Sequence, residues 1–109
     1  MKREDQKQKR IKFDPIYFES LKRKSDLLGL NFYELTEIII DEFKKHIETI
    51  GNSEYSVVKP RLNEKVKSVW ICKIQMKEVI EPLAFSLSVS SNTVVYNAFY
   101  RYKKIKDKR

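Results

Sequence analysis

The chain has 109 residues, enough for one small domain or for two very small units that share a core. With two glycines, one cysteine and one histidine, it excludes a Gly-rich phosphate loop, an intrachain disulfide and a His/Cys metal cluster. No apolar run approaches the roughly 18 residues of a membrane span or forms a secretory core, so a cytoplasmic protein is expected, with neither enzyme activity nor a cofactor.

The net charge of +8 is concentrated at the ends. Lys2, Arg3, Lys7, Lys9, Arg10 and Lys12 face only Glu4 and Asp5, and Arg101, Lys103, Lys104, Lys106, Lys108 and Arg109 face only Asp107. The middle is slightly acidic. Basic ends on a near-neutral body point to a polyanion partner, with nucleic acid first. The same charges would also serve as solvated tails that keep a small protein soluble.

Residues 1–8 read as a basic flexible arm. Alternation then sets in: Ile11 and Phe13 fall on one face of a short strand, and Gln8, Arg10 and Lys12 on the other. Asp14 before Pro15 is a helix start, an acceptor at the N-cap followed by a residue with no donor to lose. The helix is expected to run to about Leu28, with Tyr17, Phe18, Leu21 and Leu28 near one side and Gly29 as the left-handed stop. Asn31 caps a second helix, with Glu34 in capping-box position and an apolar stripe of Leu35, Ile38, Ile39, Phe43 and Ile47.

Gly51 and Asn52 end that helix, and residues 52–66, with Pro60 inside, read as a linker. Ser68 to Ile74 is β-branched and apolar enough for a strand. A helix with Met76, Val79, Ile80, Leu83 and Leu87 on one side follows, interrupted by Pro82, which should bend or break it or else start a second short helix. Ser90 caps a last helix whose apolar side is Val94, Val95, Ala98, Phe99 and Tyr102. Leu28-Gly29-Leu30-Asn31 matches Leu87-Ser88-Val89-Ser90 at a spacing of 59, and the same spacing pairs Leu21 with Ile80 and Leu35 with Val94. The chain therefore reads as two copies of strand–helix–helix, at 9–51 and 67–103, with a basic tail at 104–109. Cys72, within its apolar run, reads as a small buried hydrophobe.

The stretch "RIKFDPIYFESLKRKSDLLGLNFYELTEIIIDEF" resembles the ribbon-helix-helix DNA-binding proteins, the family of the Arc and methionine repressors. The resemblance implies a mainly α fold with a short two-stranded antiparallel β-ribbon, here as a tandem repeat in one chain. It further implies that the ribbon enters the major groove of double-stranded DNA. Gln8, Arg10 and Lys12 are then the base-reading residues, Arg and Lys suiting guanine and Gln adenine. The turns before the second helices would grip phosphates through Asn31, Phe32 and Tyr33 and through Ser90, Ser91 and Asn92. Lys7 and Lys9, with Lys2, Arg3 and the C-terminal lysines, would follow the backbone. Tandem units of this composition are similar to small regulators of archaeal viruses or plasmids.

The second strand departs from the pattern. At the 59-residue spacing Trp70 and Cys72 face the core, while Lys67, Val69 and Ile71 face outward with Lys73 as a further base-reading candidate. An apolar outward face suits either a degenerate second unit, with thymine-methyl contacts, or a protein interface on which further chains assemble. Equally, the N-terminal strands of two chains would pair and read a palindrome. The function expected is a DNA-binding transcription regulator, most simply a repressor. The alternatives are a protein-interaction module of antitoxin type and a non-specific DNA-coating protein.

Overall fold

The computed structural model describes residues 6–60 and 64–107, so Lys2, Arg3, Lys108 and Arg109 lie outside the described residues. Among the described residues the fold is mainly helical, with four helices and one two-stranded sheet. Strand β1 spans Gln6–Phe13 and strand β2 Lys65–Cys72, and they pair antiparallel with Arg10 opposite Ser68, Gln8 opposite Trp70 and Lys12 opposite Val66. Both strands belong to one chain, so a second copy is not needed to complete the sheet.

Helix α1, Pro15–Leu27, begins as its caps dictate: the Asp14 carboxylate accepts the Ile16 N–H at 2.9 Å, and Pro15 opens the first turn. It ends in a Schellman turn. Gly29 takes φ 72°, its N–H donates to the Asp26 carbonyl, and the Leu30 N–H reaches back to Ser25 at 2.9 Å. The buried side of α1 is Phe18, Leu21 and Ser25, whereas Leu28, placed by spacing on that side, is exposed beyond the last turn. Helix α2, Phe32–Ile50, buries Leu35, Ile39, Ile40, Phe43 and Ile47, with Ile38 turned toward solvent.

The third helix, α3, runs through residues 73–87 as α, π and α segments: Lys73–Gln75, Met76–Ile80 and Glu81–Leu87. Pro82 does not break it. Instead the Glu81 N–H donates to the Met76 carbonyl five residues back, a widened turn directly ahead of the proline. The ring of Pro82 and its missing N–H would strain a regular turn at this point, and a π-turn is a recognised place for such a fault in the ladder. Helix α4, Ser91–Asp107, buries Val94, Val95, Ala98, Phe99 and Tyr102.

The π-turn also explains the phase of β2. Val69 and Ile71 are buried, and Trp70 and Cys72 lie on the opposite face, the reverse of what the 59-residue spacing gave. Before the π-turn, buried positions of the two halves match at a spacing of 58: Ile11 with Val69, Phe13 with Ile71, Phe18 with Met76. After it they match at 59: Leu21 with Ile80, Leu35 with Val94, Phe43 with Tyr102. The widened turn takes up the extra residue. The closing turn recurs too, with Ser88 at φ 58° and bonds from Ser88 to Phe85 and from Val89 to Ala84.

The core lies between the sheet's buried face and the four helices. Phe13 anchors β1 there, its ring 4.7 Å from Phe99 and 5.6 Å from Phe18. Residues between the two halves are held as well. After a short turn at Asn52–Glu54, the chain is gripped by Asn97 of α4, which is 1% exposed. Its Oδ1 accepts from the Tyr55 hydroxyl at 2.7 Å and the Val58 N–H at 2.8 Å, and its Nδ2 donates to the Val58 and Thr93 carbonyls. No helix among the described residues is long and apolar enough to cross a membrane.

Candidate nucleic-acid interface

Alternation along β1 buries Ile11 and Phe13, which turns Gln8, Arg10 and Lys12 to the other face, where all three are exposed. These base-reading candidates therefore share one strand face. Opposite them on β2 stand Trp70, Ser68 and Val66, with Cys72 beyond Trp70 and opposite Gln6. Ser68 and Val66 are exposed, and Trp70 and Cys72 are half-buried. The outer face is thus cationic and polar on β1 and mostly apolar on β2.

Lys67 and Lys73 do not belong to this face. Lys67 lies opposite Ile11 on the inner side, and its ammonium sits 5.4 Å from the centre of the Phe18 ring. Lys73, expected to read bases from the strand, is the first residue of α3, because β2 ends at Cys72, whose extended backbone caps that helix. The Cys72 thiol is held below its ordinary pKa, first by the Gln75 backbone N–H and then by the Tyr33 side chain and the Ile74 amide, against the opposing effect of burial. It is half-buried, not the buried hydrophobe expected, and its side chain makes no cap bond to the helix.

The N-terminus of α4 lies against β1. Lys9 donates to the Ser91 hydroxyl at 2.7 Å, and the Asn92 side chain donates to the Arg10 carbonyl at 3.0 Å. Ser90 caps the helix, its hydroxyl accepting the Thr93 N–H at 3.2 Å. The first N–H groups of a helix have no intrahelical acceptor, and the positive end of the helix dipole lies there. A lysine ammonium has been placed beside it. Burial lowers the Lys9 pKa from its ordinary value, Lys7 lowers it further and Glu81 opposes this. Ser91, Asn92, Lys9 and Arg10 thus meet where the start of α4 crosses β1, with Lys9 leaving the strand on the inner side, opposite Val69, and Glu81 acting on it as well. Lys7, also named as a phosphate contact, is exposed on the same strand.

The equivalent end of α2 differs. Asn31 and Glu34 form a full capping box: Asn31 Oδ1 accepts the Glu34 N–H at 2.8 Å, and Glu34 Oε1 accepts the Asn31 N–H at 3.0 Å. The Asn31 N–H, expected to be open to a phosphate, is occupied, and a carboxylate stands at the helix end. Phe32 turns inward, 5.1 Å from the Phe18 ring. Tyr33 is engaged with Cys72. The two turns share backbone geometry but not charge, since Thr93 occupies the place of Glu34.

A separate cleft of about 380 Å³ lies between the C-terminal half of α2, residues 54–58 and α4, lined by His46, Tyr55, Tyr100, Arg101 and Lys104 among others. Burial, and then Arg101, hold the His46 pKa below its ordinary value, and the rings of His46 and Tyr55 meet edge to face at 6.1 Å. Sequence reasoning missed this cleft, because the part played by Tyr55 depends on Asn97, a polar residue inside an apolar helix. The chain matches no family model, no curated protein and no solved structure.

Proposed function

We propose that the chain is a sequence-specific double-stranded DNA-binding transcription regulator of ribbon-helix-helix type, most simply a repressor that covers a promoter. One observation carries this reading: Gln8, Arg10 and Lys12 stand together on the exposed face of a two-stranded sheet, with the N-terminus of α4 fixed beside them by Lys9 and Asn92. Strands lie about 4.8 Å apart, so a two-stranded blade fits a B-DNA major groove about 12 Å wide. Residues two apart on a strand are about 6.8 Å apart, so Gln8 to Lys12 spans roughly four base steps. An A-form RNA groove is too deep and narrow for such a blade.

The division of labour follows from chemistry. Arg10 and Lys12 donate to guanine O6 and N7, and Gln8 bonds adenine N6 and N7. Ser91 and Asn92 offer N–H groups at a helix end to a phosphate, and Lys9 adds charge there, which fixes the blade on the duplex without choosing sequence. The recurrence of the strand, the closing turn and the buried positions at spacings of 58 and 59 supports a tandem of two ribbon-helix-helix units, the second carrying one inserted residue.

Replacing Arg10 and Lys12 together by Ala tests the reading. Each base contact is worth about 1–3 kcal/mol, so affinity for a selected site should fall on the order of 10²-fold or more, with little change on random duplex. An equal loss on every sequence would instead make this a non-specific DNA-coating protein.

A further inference from the structure

We infer that a single copy of this chain reads a duplex site lacking two-fold symmetry, with Val66, Ser68 and Trp70 of β2 as specificity-determining residues alongside Gln8, Arg10 and Lys12. The inference rests on the DNA-reading role proposed above and names the class of site that the face would take.

Register and spacing carry it together. Opposed residues have numbers that sum to 78, as in Arg10 with Ser68, and equivalent strand positions of the two halves differ by 58. Both relations are met at Arg10 and Ser68, so the pseudo-dyad of the sheet passes through that pair. It exchanges Gln8 with Val66 and Lys12 with Trp70. At every exchanged position on the outer face the chemistry differs: amide against aliphatic, guanidinium against hydroxyl, ammonium against indole.

A palindrome presents the same groups to both halves of its reader. Here one end of the face offers Gln8 with Trp70, and the other offers Lys12 with Val66. Gln8 favours adenine and Lys12 guanine, while the apolar side chains of β2 favour the thymine methyl group. The flanking helix ends are unequal as well. Lys9 stands at the end of α4 and Glu34 at the end of α2, so a phosphate is held more strongly on one side. Because both strands come from one chain, this asymmetry is built in and does not depend on which copies meet.

The test selects bound duplexes from a random pool with the full chain, and measures the mass of the complex formed on the enriched site. The wild type should enrich a non-palindromic consensus with one chain per site. The variant V66Q/S68R/W70K makes the outer face symmetric, and its consensus should become two-fold symmetric. Ser68→Arg alone, at an exposed position on the pseudo-dyad, should change the central bases and serves if the triple variant does not fold. A palindromic wild-type consensus, two chains on each site, or consensus bases unmoved by Ser68→Arg would overturn the inference while leaving DNA reading intact. Enrichment of no sequence at all would overturn the DNA-reading role itself, and this inference with it.

Discussion

The side chain of Asn92 donates to the backbone carbonyl of Arg10 at 3.0 Å, joining the start of the last helix to the middle of the first strand across 82 residues. The helix end and the face of the sheet are thereby held in one geometry. Asn92→Ala removes this bond and leaves the Lys9–Ser91 contact. The bond is exposed, so its loss should cost about 0.5–1 kcal/mol and lower the Tm by a few degrees. Binding to duplex DNA should weaken several-fold on all sequences alike, as measured by titration on a selected and a random duplex. A change confined to the selected duplex would show that Asn92 itself reads bases.

Glu34 is the group that distinguishes the two helix ends. Glu34→Gln retains an acceptor for the Asn31 N–H and removes the negative charge. A charge near a helix terminus is worth about 0.3–1 kcal/mol, so duplex affinity should rise by about two- to five-fold at low salt, while Tm falls by a few degrees because the carboxylate no longer stabilises the start of α2. Titration at two salt concentrations checks this, and the gain should shrink as salt rises.

Ser88 holds the left-handed conformation at φ 58° where the matching turn of the first half has Gly29. A side chain in this region costs roughly 1–2 kcal/mol, and a glycine there gives back part of that through the greater entropy of the unfolded chain. Ser88→Gly should raise Tm by roughly 2–4 °C. Gly29→Ala, at φ 72°, should lower it.

Tyr55 gives the fold a pH limit. Its hydroxyl donates to the buried Asn97, and its pKa is pushed up to about 12, above all by burial, from an ordinary value of 10.0. In the unfolded chain the phenol ionises near 10.0, so this contribution is complete below that pH and is lost as pH rises toward about 12. The melting temperature of wild type should therefore fall more steeply than that of Tyr55→Phe between those values. Near neutral pH the wild type should melt higher than Tyr55→Phe, which lacks the hydrogen bond.

Much of this fold is legible from caps. Asp14-Pro15, Gly29 and the Asn31/Glu34 box mark helix ends because their chemistry is local, and the β1 face follows from strict alternation at Ile11 and Phe13. The phase of β2 was not legible. Val69, Trp70, Ile71 and Cys72 form a continuous apolar run, so periodicity allows either face. The spacing that would have decided it shifts by one residue at the π-turn, and a π-turn has no sequence signature beyond the proline after it. The Asn97 clamp was hidden for another reason: an asparagine inside an apolar helix declares a partner without naming it.

If Arg10 reads guanine from the major groove, a methyl group on guanine N7 blocks its contact. On a selected duplex, N7-methylation at one guanine beneath the centre of the sheet should weaken wild-type binding by roughly ten- to a hundred-fold, and the same mark should leave the residual binding of Arg10→Ala unchanged. Wild-type binding indifferent to every N7-methyl group, or interference identical in Arg10→Ala, would show that Arg10 does not read guanine in the major groove.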